Sequence, residues 1–301
     1  MSDLKKQMQL VTDPSIFRNP TPFPEGVIDS QIHLFRTLGL EGGLAAMNAL
    51  GIQGAVIDEY WTVEQEGETI FPGYRMPNGA VRVVRSQAMH AAARYPGRFR
   101  YLVRTDHRDP DPRGWIKAIA DSPHACATRF VVRSEEEIRD FLAGGYDAIF
   151  AAATDLGVPV FLFLDHGDTA AAVRYIEKFP TATIIVDHIG MGRSSDAVRT
   201  PDKFEAALRL AAYPNVYLKW CHAYFGFGPV VYPFENTHAP LRRAVDAFGA
   251  ERLMWASDFT IREHEVSWMD RLLSVRESPV LTGEEKGWVL GRTARQVLGW
   301  S

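Results

Sequence analysis

The sequence has few cysteines, no long apolar run and no large excess of one charge, and each shortage excludes a class of protein. Its two cysteines, Cys126 and Cys221, stand far apart and outside any C-x-x-C pattern, so neither a disulfide framework nor a cysteine zinc site is predicted. We expect both to be reduced core residues. No apolar run approaches the roughly 20 residues needed to span a bilayer, which argues against a membrane protein.

Charge and the first residues of the chain bear on partners and location. The formal net charge is -4 and charged residues make up 23% of the chain, so no basic surface for nucleic acid is predicted. The stretch MSDLKKQMQL lacks the apolar segment of a signal peptide, which indicates a cytoplasmic protein. We expect a small-molecule substrate as the partner. Whether the chain forms a homo-oligomer stays open.

The chain is rich in short apolar runs that alternate with helical patterns. The eight runs are VIDSQIHLF, IQGAVIDEYW, FRYLVRTD, ATRFVVR, PVFLFLDH, ATIIVDHIG, NVYLKWCH and RLMWASDFT. Strands that alternate with helices pair in parallel through right-handed crossovers. Eight such units predict an α/β fold, a (β/α)8 TIM barrel that forms a single domain over residues 27–301. Residues 1–26 are predicted to be an irregular N-terminal arm.

The first apolar run contains three polar residues that a regular strand would place on one face. At a period of two residues, Asp29, Gln31 and His33 share one side of VIDSQIHLF. Burying a carboxylate, an amide and an imidazole together is costly unless they bind something or each other. We expect Asp29, the deepest of the three, to be structural and paired with hydrogen-bond donors. Gln31 and His33 are expected to take part in the chemistry.

Polar residues are concentrated where the eight runs end. In a (β/α)8 barrel these ends form the face that carries the active site. The residues are Gln31, His33, Asp58, Glu59, Asp106, His107, Arg129, Arg133, Asp165, His166, Asp187, His188, Lys219, His222 and Asp258. Five of the nine histidines fall in this set. The sequence therefore predicts a functional site at this face.

Two cations within strand patterns need partners. Arg129 and Lys219 are predicted either to bind an anionic substrate or to pair with Glu59 or Asp187, because unpaired buried cations are costly. An arginine suits a planar carboxylate, since its guanidinium group makes two parallel hydrogen bonds. The further candidates for substrate contact are Glu59, His222 and His238.

Four motifs together resemble one known family. The D-x-Q-x-H of the first run, VDHIG, NVYLKW and WASDFT resemble the amidohydrolase superfamily, in its amidohydrolase-related (amidohydrolase 2) branch of small barrels. The resemblance runs from Val27 to the terminal GRTARQVLGW. This branch contains lactonases for sugar lactones and carboxylated pyrones, other hydrolases of C–O and C–N bonds, and metal-dependent non-oxidative decarboxylases of aromatic acids. The resemblance implies the barrel and leaves the reaction open.

The metal ligands that the resemblance implies are only partly matched. Family members usually begin with H-x-H and add a strand-five histidine and a strand-eight aspartate. At these positions the chain has Gln31, His33, Phe163 and Asp258, and His166 comes three residues late. An amide is a poorer zinc ligand than an imidazole. The resemblance therefore implies either a divalent metal, Zn or Mn, on His33, His166 and Asp258, or no metal.

The leading functional hypothesis is a lactonase-like hydrolase that opens a small cyclic ester carrying carboxylate or hydroxyl groups. Water positioned by Asp258 or His188 would attack the carbonyl, and His33 with Gln31 or a metal would stabilise the oxyanion. The first alternative is a metal-dependent non-oxidative decarboxylase of an aromatic acid. The second is a non-catalytic ligand-binding barrel, suggested by Gln31 and Phe163. The catalytic candidates are His33, His188, Asp258 and Gln31.

Overall fold

The structure is a computed structural model of the chain. It describes residues 26–33, 38–59, 63–65, 68–70, 73–83, 86–164, 169–192, 201–259 and 265–300. The predicted N-terminal arm, residues 1–26, lies outside the described residues apart from Gly26.

Eight strands form one parallel sheet, and their order in space is their order along the chain. The strands are β1 Val27–Ile32, β2 Ile52–Ile57, β3 Phe99–Arg104, β4 Ala125–Val132, β5 Val160–Leu164, β6 Ile184–Val186, β7 Val216–Trp220 and β8 Leu253–Trp255. The barrel closes just past β8, where the Asp258 amide donates to the Gln31 carbonyl at 2.9 Å and Ile32 pairs with Phe259. All eight predicted strands and the single-domain (β/α)8 fold are confirmed.

Helices lie between the strands and cover the outside of the barrel. They are α1 Gly39–Leu50, α2 Ser86–Arg94, α3 Pro112–Ala120, α4 Glu135–Ala143, α5 Asp147–Leu156, α6 Val173–Lys178, α7 Pro201–Arg209, α8 Ala223–Gly226, α9 His238–Phe248, α10 Trp268–Arg276, α11 Gly283–Gly287 and α12 Thr293–Val297. Two antiparallel hairpins between β2 and β3 pair Val63–Gln65 with Glu68–Ile70 and Gly73–Arg75 with Val81–Val83. None of the described helices is long and apolar enough to cross a membrane.

An apolar plug fills the lower part of the barrel. It takes a residue from every strand and two from the end of the chain, namely Ile28, Val56, Leu102, Ala127, Phe161, Ile185, Tyr217, Met254, Leu298 and Trp300. The Trp300 ring packs so closely on Gly54 that a Cβ there would lie 2.4 Å from it, so only glycine fits. The plug closes one end of the barrel, and polar side chains further along the strands occupy the other.

Strand β1 does not keep a regular two-residue alternation. Its register against β2 shifts between Val27 and Ile28 and again between Asp29 and Ile32. Ile28 packs in the apolar plug, whereas the carboxylate of Asp29 accepts the indole N–H of Trp268 on helix α10 at 2.8 Å. Ile28 and Asp29 thus point to opposite faces, and the irregularity between Asp29 and Ile32 turns Gln31 to the barrel interior instead of the face of Asp29.

This local geometry corrects one prediction and confirms another. Asp29 does not share a face with Gln31 and His33, because the register shifts break the alternation on which that prediction depended. Its carboxylate is fully buried and also accepts the Ser257 amide N–H at 2.9 Å, as a structural role requires. Burial raises the pKa of Asp29 to about 6, although these hydrogen bonds act in the opposite direction.

Candidate active site

Polar side chains at the C-terminal ends of the strands form two adjoining groups. The first group, the ion-pair network, consists of Asp58, Arg104, Arg129, Asp187 and Lys219. The second, the imidazole cluster, consists of His33, His188, Cys221, His222 and Asp258. All of these side chains are buried except Arg104, which is half-buried. Gln31 lies between the two groups and contacts both.

The ion-pair network places three cations around two carboxylates. Arg129 donates from Nη1 to Asp58 at 2.5 Å and from Nε to Asp187 at 2.7 Å, so it bridges both acids. Arg104 binds Asp58 through two hydrogen bonds of 2.6 and 2.9 Å. Lys219 has no exposed surface and lies 2.6 Å from Asp187. Of the alternatives predicted for Arg129 and Lys219, the structure shows pairing with Asp187, and their contact with a substrate stays a prediction.

The charged groups of the network keep one another ionised despite their burial. Burial by itself would raise the pKa of Asp58, but the charges of Arg104 and Arg129 outweigh it and hold this pKa well below the usual range. Burial likewise opposes the charge of Arg129, and the charges of Asp187 and Asp58 outweigh it, so the pKa of the guanidinium group is raised. Removal of either carboxylate would leave a buried cation uncompensated, which is strongly destabilising.

Gln31 joins the two groups through both ends of its amide. Its Nε2 donates to Asp258 at 2.7 Å, and its Oε1 accepts from the ammonium group of Lys219. Because an ammonium group can only donate, the contact with Lys219 fixes which end of the amide is the oxygen. Gln31 therefore presents an N–H group to Asp258, and in this orientation it is a hydrogen-bonding link.

His33 and Asp258 hold each other in place. The Nδ1 atom of His33 lies 2.5 Å from the Asp58 carbonyl oxygen, and its Nε2 lies 2.9 Å from Asp258 Oδ1. Both ring nitrogens of His33 therefore contact oxygen atoms of neighbouring residues. Burial would raise the pKa of Asp258, but the hydrogen bond and charge of His33, with the other two histidines, hold it well below its usual range. Asp258 is therefore an ionised carboxylate.

His188 and His222 stack face to face beside Asp258. Their ring centroids are 5.0 Å apart and their planes differ by 5°. His222 Nε2 lies 3.3 Å from Asp258 Oδ2, whereas His188 Nδ1 is buried and makes no hydrogen bond with a described residue. Burial and the nearby charge of Lys219 lower the pKa of His188 well below its usual value, so its imidazole is neutral near pH 7.

The backbone of the imidazole cluster is strained. His188, Ile189, His222 and Asp258 adopt left-handed conformations with φ values of 49°, 50°, 60° and 53°. Such conformations cost on the order of 1 kcal/mol or more for residues other than glycine, and the cost is highest for a β-branched residue such as isoleucine. Strain of this kind persists where the surrounding structure enforces it, commonly at functional sites.

A cavity of about 290 Å³ opens beside the ion-pair network at the ends of β3 and β4. Its charged wall residues are Arg104, Arg108, Arg129, Arg133, Asp106 and Glu137. Four guanidinium groups thus outnumber two carboxylates on the wall itself, an excess that favours an anionic ligand. Behind the wall, Arg104 and Arg129 are shared with Asp58 and Asp187. Phe130 and Tyr146 add aromatic surface to the same wall, which suits a small flat ring.

The structure brings Gln31, His33, His188 and Asp258 together at one end of the barrel, as predicted from the strand ends. Their catalytic roles stay predictions. Arg129 and Lys219 belong to the ion-pair network, and Arg129 also lines the cavity.

The other predicted site residues have different surroundings. Glu59 accepts the backbone N–H of Ala88 at 2.7 Å and of Gln87 at 3.3 Å, so its carboxylate serves the N-terminus of helix α2. His222 is in the imidazole cluster. His238 is the half-buried first residue of α9. His166 lies outside the described residues.

Three members of the two groups were not predicted as functional residues. Asp58 ends its strand but was given no role, and Arg104 was not considered. An arginine within the run FRYLVRTD was the available signal, because a cation in a strand pattern needs a buried acid. Cys221 was expected to be an ordinary core residue. The available signal was its neighbour His222, because cysteine and histidine are both common metal ligands.

The strand-one site implied by the resemblance does not fit a metal ion among the described residues. Both ends of the Gln31 amide are used by Lys219 and Asp258. Phe163 packs edge-on against His188 with ring centroids 4.6 Å apart, and it offers no ligand atom. Only His33 and Asp258 remain as donors at that position, and they bind each other.

The imidazole cluster does fit a divalent ion. His188, Cys221, His222 and Asp258 each offer one ligand atom, and these atoms all lie within 4.8 Å of one another. Imidazole nitrogen, thiolate sulfur and carboxylate oxygen are the ligands that zinc takes in proteins. The Nδ1 of His188, which has no hydrogen-bond partner among the described residues, is a buried ligand atom available to such an ion.

Comparisons with known proteins agree with the fold and motifs. The family model described as Amidohydrolase matches residues 28–300. A candidate 2-pyrone-4,6-dicarboxylic acid hydrolase from Pseudomonas putida is 19% identical with a TM-score of 0.65, over 92% of this chain and 98% of that one. An amidohydrolase from Burkholderia multivorans with bound zinc is 16% identical with a TM-score of 0.64, over 91% and 99% of the two chains.

A third solved structure carries a different activity. The 5-carboxyvanillate decarboxylase from Novosphingobium aromaticivorans, complexed with manganese and 4-hydroxy-3-methoxy-5-nitrobenzoic acid, is 13% identical with a TM-score of 0.56. The match covers 85% of this chain and 79% of that one. A comparison with curated protein sequences finds no match. At these identities the solved structures establish the shared fold.

Proposed function

We propose that this chain, which belongs to the amidohydrolase family of enzymes, is a hydrolase that opens a small cyclic ester bearing a carboxylate group. One observation carries the proposal: an ionised, buried carboxylate, Asp258, is surrounded by three imidazoles, and the adjoining ion-pair network lines a cavity rich in arginine through Arg104 and Arg129. This arrangement combines a group that can activate water with a site that favours an anion.

Asp258 is the residue we assign to water activation. Its Oδ1 is held by Gln31 and His33, so the carboxylate is fixed before any substrate arrives. A fixed carboxylate can accept a hydrogen bond from a water molecule and take its proton as the water attacks a carbonyl carbon. We assign to His33, which contacts Asp258 through Nε2, the transfer of this proton from Asp258 toward the leaving oxygen.

The cavity supplies the proposed substrate contacts. A carboxylate on the substrate would be held by the guanidinium groups of the wall, of which Arg129 also reaches Asp58 and Asp187. A flat ring would pack on Phe130 and Tyr146. Lys219, with no exposed surface, would set the position of Gln31 without contact with the substrate.

A divalent ion fits the imidazole cluster, and there it would supply Lewis acidity toward a carbonyl oxygen. The residues that would hold it come from His188, Cys221, His222 and Asp258. The proposal does not depend on the ion for substrate binding, because the cavity arginines lie at the ends of β3 and β4.

A substrate panel tests the proposal. Sugar lactones and carboxylated pyrones are assayed by acid release, and hydroxylated aromatic acids by release of carbon dioxide, both before and after chelation. We expect acid release from a carboxylated lactone, with a loss of at least about 100-fold in Asp258→Asn. The exposed Asp202 on α7 provides the matched control Asp202→Asn, which should keep full activity.

Two outcomes would overturn the proposal. Release of carbon dioxide from aromatic acids, without lactone opening, would identify a decarboxylase instead. A folded protein that binds carboxylated rings but converts none of the panel would support the non-catalytic binding barrel.

A further inference from the structure

We infer that the imidazole cluster is a zinc site whose three protein ligands are His188, Cys221 and His222, with Asp258 beside the open fourth position. This inference deepens the proposed function and rests on it, because it leaves Asp258 as the carboxylate that activates water. It moves the metal from the strand-one position, implied by the resemblance, to the ends of β6 and β7.

The first step of the argument concerns donor atoms without partners. His188 Nδ1 is buried and makes no hydrogen bond with a described residue. The Cys221 thiol, also buried, makes no hydrogen bond within the described part of the chain. Buried imidazole nitrogens nearly always have a partner, so the nitrogen of His188, which has none among the described residues and has a thiol close by, points to a missing ligand.

The second step concerns the local backbone at the end of β7. In a regular strand, the side chains of Cys221 and His222 would point to opposite faces. His222 instead has a left-handed conformation, with φ of 60°, and the ligand atoms of both residues lie within 4.8 Å of each other. The strained residue thus brings two neighbouring ligand types to the same point, which a packing role would not require.

The third step separates Asp258 from the ligands. Its Oδ1 already accepts hydrogen bonds from Gln31 at 2.7 Å and from His33 at 2.9 Å, and its Oδ2 lies 3.3 Å from His222. Oδ1 is therefore held by two donors within the protein, whereas Oδ2 has only the longer contact with His222. Three protein ligands and one open position are the usual arrangement of a catalytic zinc site, and a hydrogen-bonded carboxylate beside it is the usual neighbour.

The ligand types select the ion. One sulfur and two imidazole nitrogens favour zinc over manganese or magnesium, which prefer oxygen ligands. Binding converts the Cys221 thiol to a thiolate and releases one proton to solvent. The ligand set therefore predicts zinc for this chain.

Metal binding and cobalt substitution test the inference directly. Metal-free protein is titrated with zinc or cobalt, and we expect one equivalent of either to bind. Cobalt-loaded protein should show thiolate-to-cobalt absorption in the near ultraviolet. Cys221→Ser should lose this absorption and bind zinc at least about 100-fold more weakly. Mutation of a residue that only hydrogen-bonds to a ligand already lowers metal affinity by about 10- to 100-fold, and loss of a ligand should cost at least as much. Cys126→Ser, at the other buried cysteine, is the matched control and should change neither.

The variant Asp258→Asn tests whether the Asp258 carboxylate is a ligand of the metal ion or only lies beside it. It should retain one equivalent of metal and the thiolate-to-cobalt absorption while losing hydrolysis. Loss of the metal in Asp258→Asn would make the carboxylate a ligand and overturn the three-ligand assignment. Absence of stoichiometric binding, or of a sulfur contribution to the cobalt spectrum of the wild type, would overturn the site itself.

One further measurement needs no variant, so it decides the question even if Cys221→Ser fails to fold. X-ray absorption of zinc-loaded wild-type protein should show one sulfur and two imidazoles around the ion. A shell of nitrogen and oxygen only would overturn the inference. These readouts do not depend on turnover. Zinc bound by this ligand set in a protein that opens no lactone would refute the proposed function and leave the metal site standing.

Discussion

The ion-pair network and the imidazole cluster lie side by side at the same end of the barrel, yet their buried polar atoms are satisfied to different degrees. In the network, Asp58 and Asp187 each contact two cations at distances of 2.5 to 2.9 Å. In the cluster, His188 Nδ1 has no hydrogen-bond partner among the described residues, and three of the cluster's residues have positive φ.

This difference indicates which group is structural and which is reactive. A network in which each carboxylate contacts two cations fixes the positions of its own members and of its neighbours. A cluster with an unpaired nitrogen, a neutral imidazole and a strained backbone retains the capacity to bind or to transfer protons. Gln31 connects the two groups, so the structural group can orient the reactive one.

The largest effect should come from breaking the network. Asp187→Asn removes the charge that Arg129 and Lys219 share, and both cations are buried. We expect the free energy of unfolding to fall by about 3–5 kcal/mol, measured by chemical denaturation. The exposed Arg113–Asp155 pair is the matched control, and Asp155→Ala should cost less than about 1 kcal/mol. If the two substitutions lowered the free energy of unfolding equally, the network would not have the structural role that we assign to it.

The next effect should appear in turnover and not in folding. His33→Ala removes a donor to Asp258 and is expected to lower kcat by about 100-fold or more while the protein stays folded. Circular dichroism and denaturation check the fold, and kcat is measured on the best lactone of the panel. The exposed His90 on α2 is the control, and His90→Ala should retain wild-type kcat. A His33→Ala protein with normal turnover would exclude His33 from the reaction.

A smaller effect should follow from altering the link between the groups. Gln31→Glu keeps an oxygen for Lys219 but places a second carboxylate beside Asp258, in place of an amide N–H that donates at 2.7 Å. Like charges at this distance raise the pKa of the pair, so the acid limb of the kcat/KM profile should move to higher pH. We expect a loss of about tenfold in kcat near pH 7. An unchanged acid limb would show that Gln31 does not couple the groups.

The sequence predicted the barrel because its signal is spread over the whole chain. Eight apolar runs with helical segments between them admit few alternatives, and parallel strand ends must meet at one face. The same reasoning brought His33, His188 and Asp258 together, since it needs only the position of each residue at the end of a strand.

The finer arrangement of the site required information that a single sequence does not contain. The bulge in β1 leaves no trace in VIDSQIHLF, which also fits a regular strand, so Asp29 was wrongly assigned to the same face as Gln31 and His33. The pairing of Arg104 with Asp58 depends on the register between neighbouring strands and on side-chain rotamers. The joint placement of Cys221 and His222 depends on a left-handed residue that is not glycine, a conformation with no reliable sequence signal.

The smallest effect concerns two buried aspartates whose pKa values are shifted in opposite directions. Asp58 contacts two guanidinium groups, and its pKa is held below the usual range, whereas Asp29 has only neutral donors, and burial raises its pKa to about 6. A carboxyl group whose pKa is higher in the folded state binds a proton there first, so folding takes up protons between pH 3.8 and about 6. The stability contributed by protonated Asp29 is therefore fully present below pH 3.8 and decreases as pH rises toward 6.

Asp29→Asn cannot titrate, and the difference in unfolding free energy between wild type and variant should change over this window and stay constant above it. Asp58 contributes in the opposite sense and only at lower pH, so it does not mask the effect. A difference that stays constant from pH 4 to pH 7 would show that Asp29 is ionised throughout, and the contrast between the two carboxylates would then be wrong.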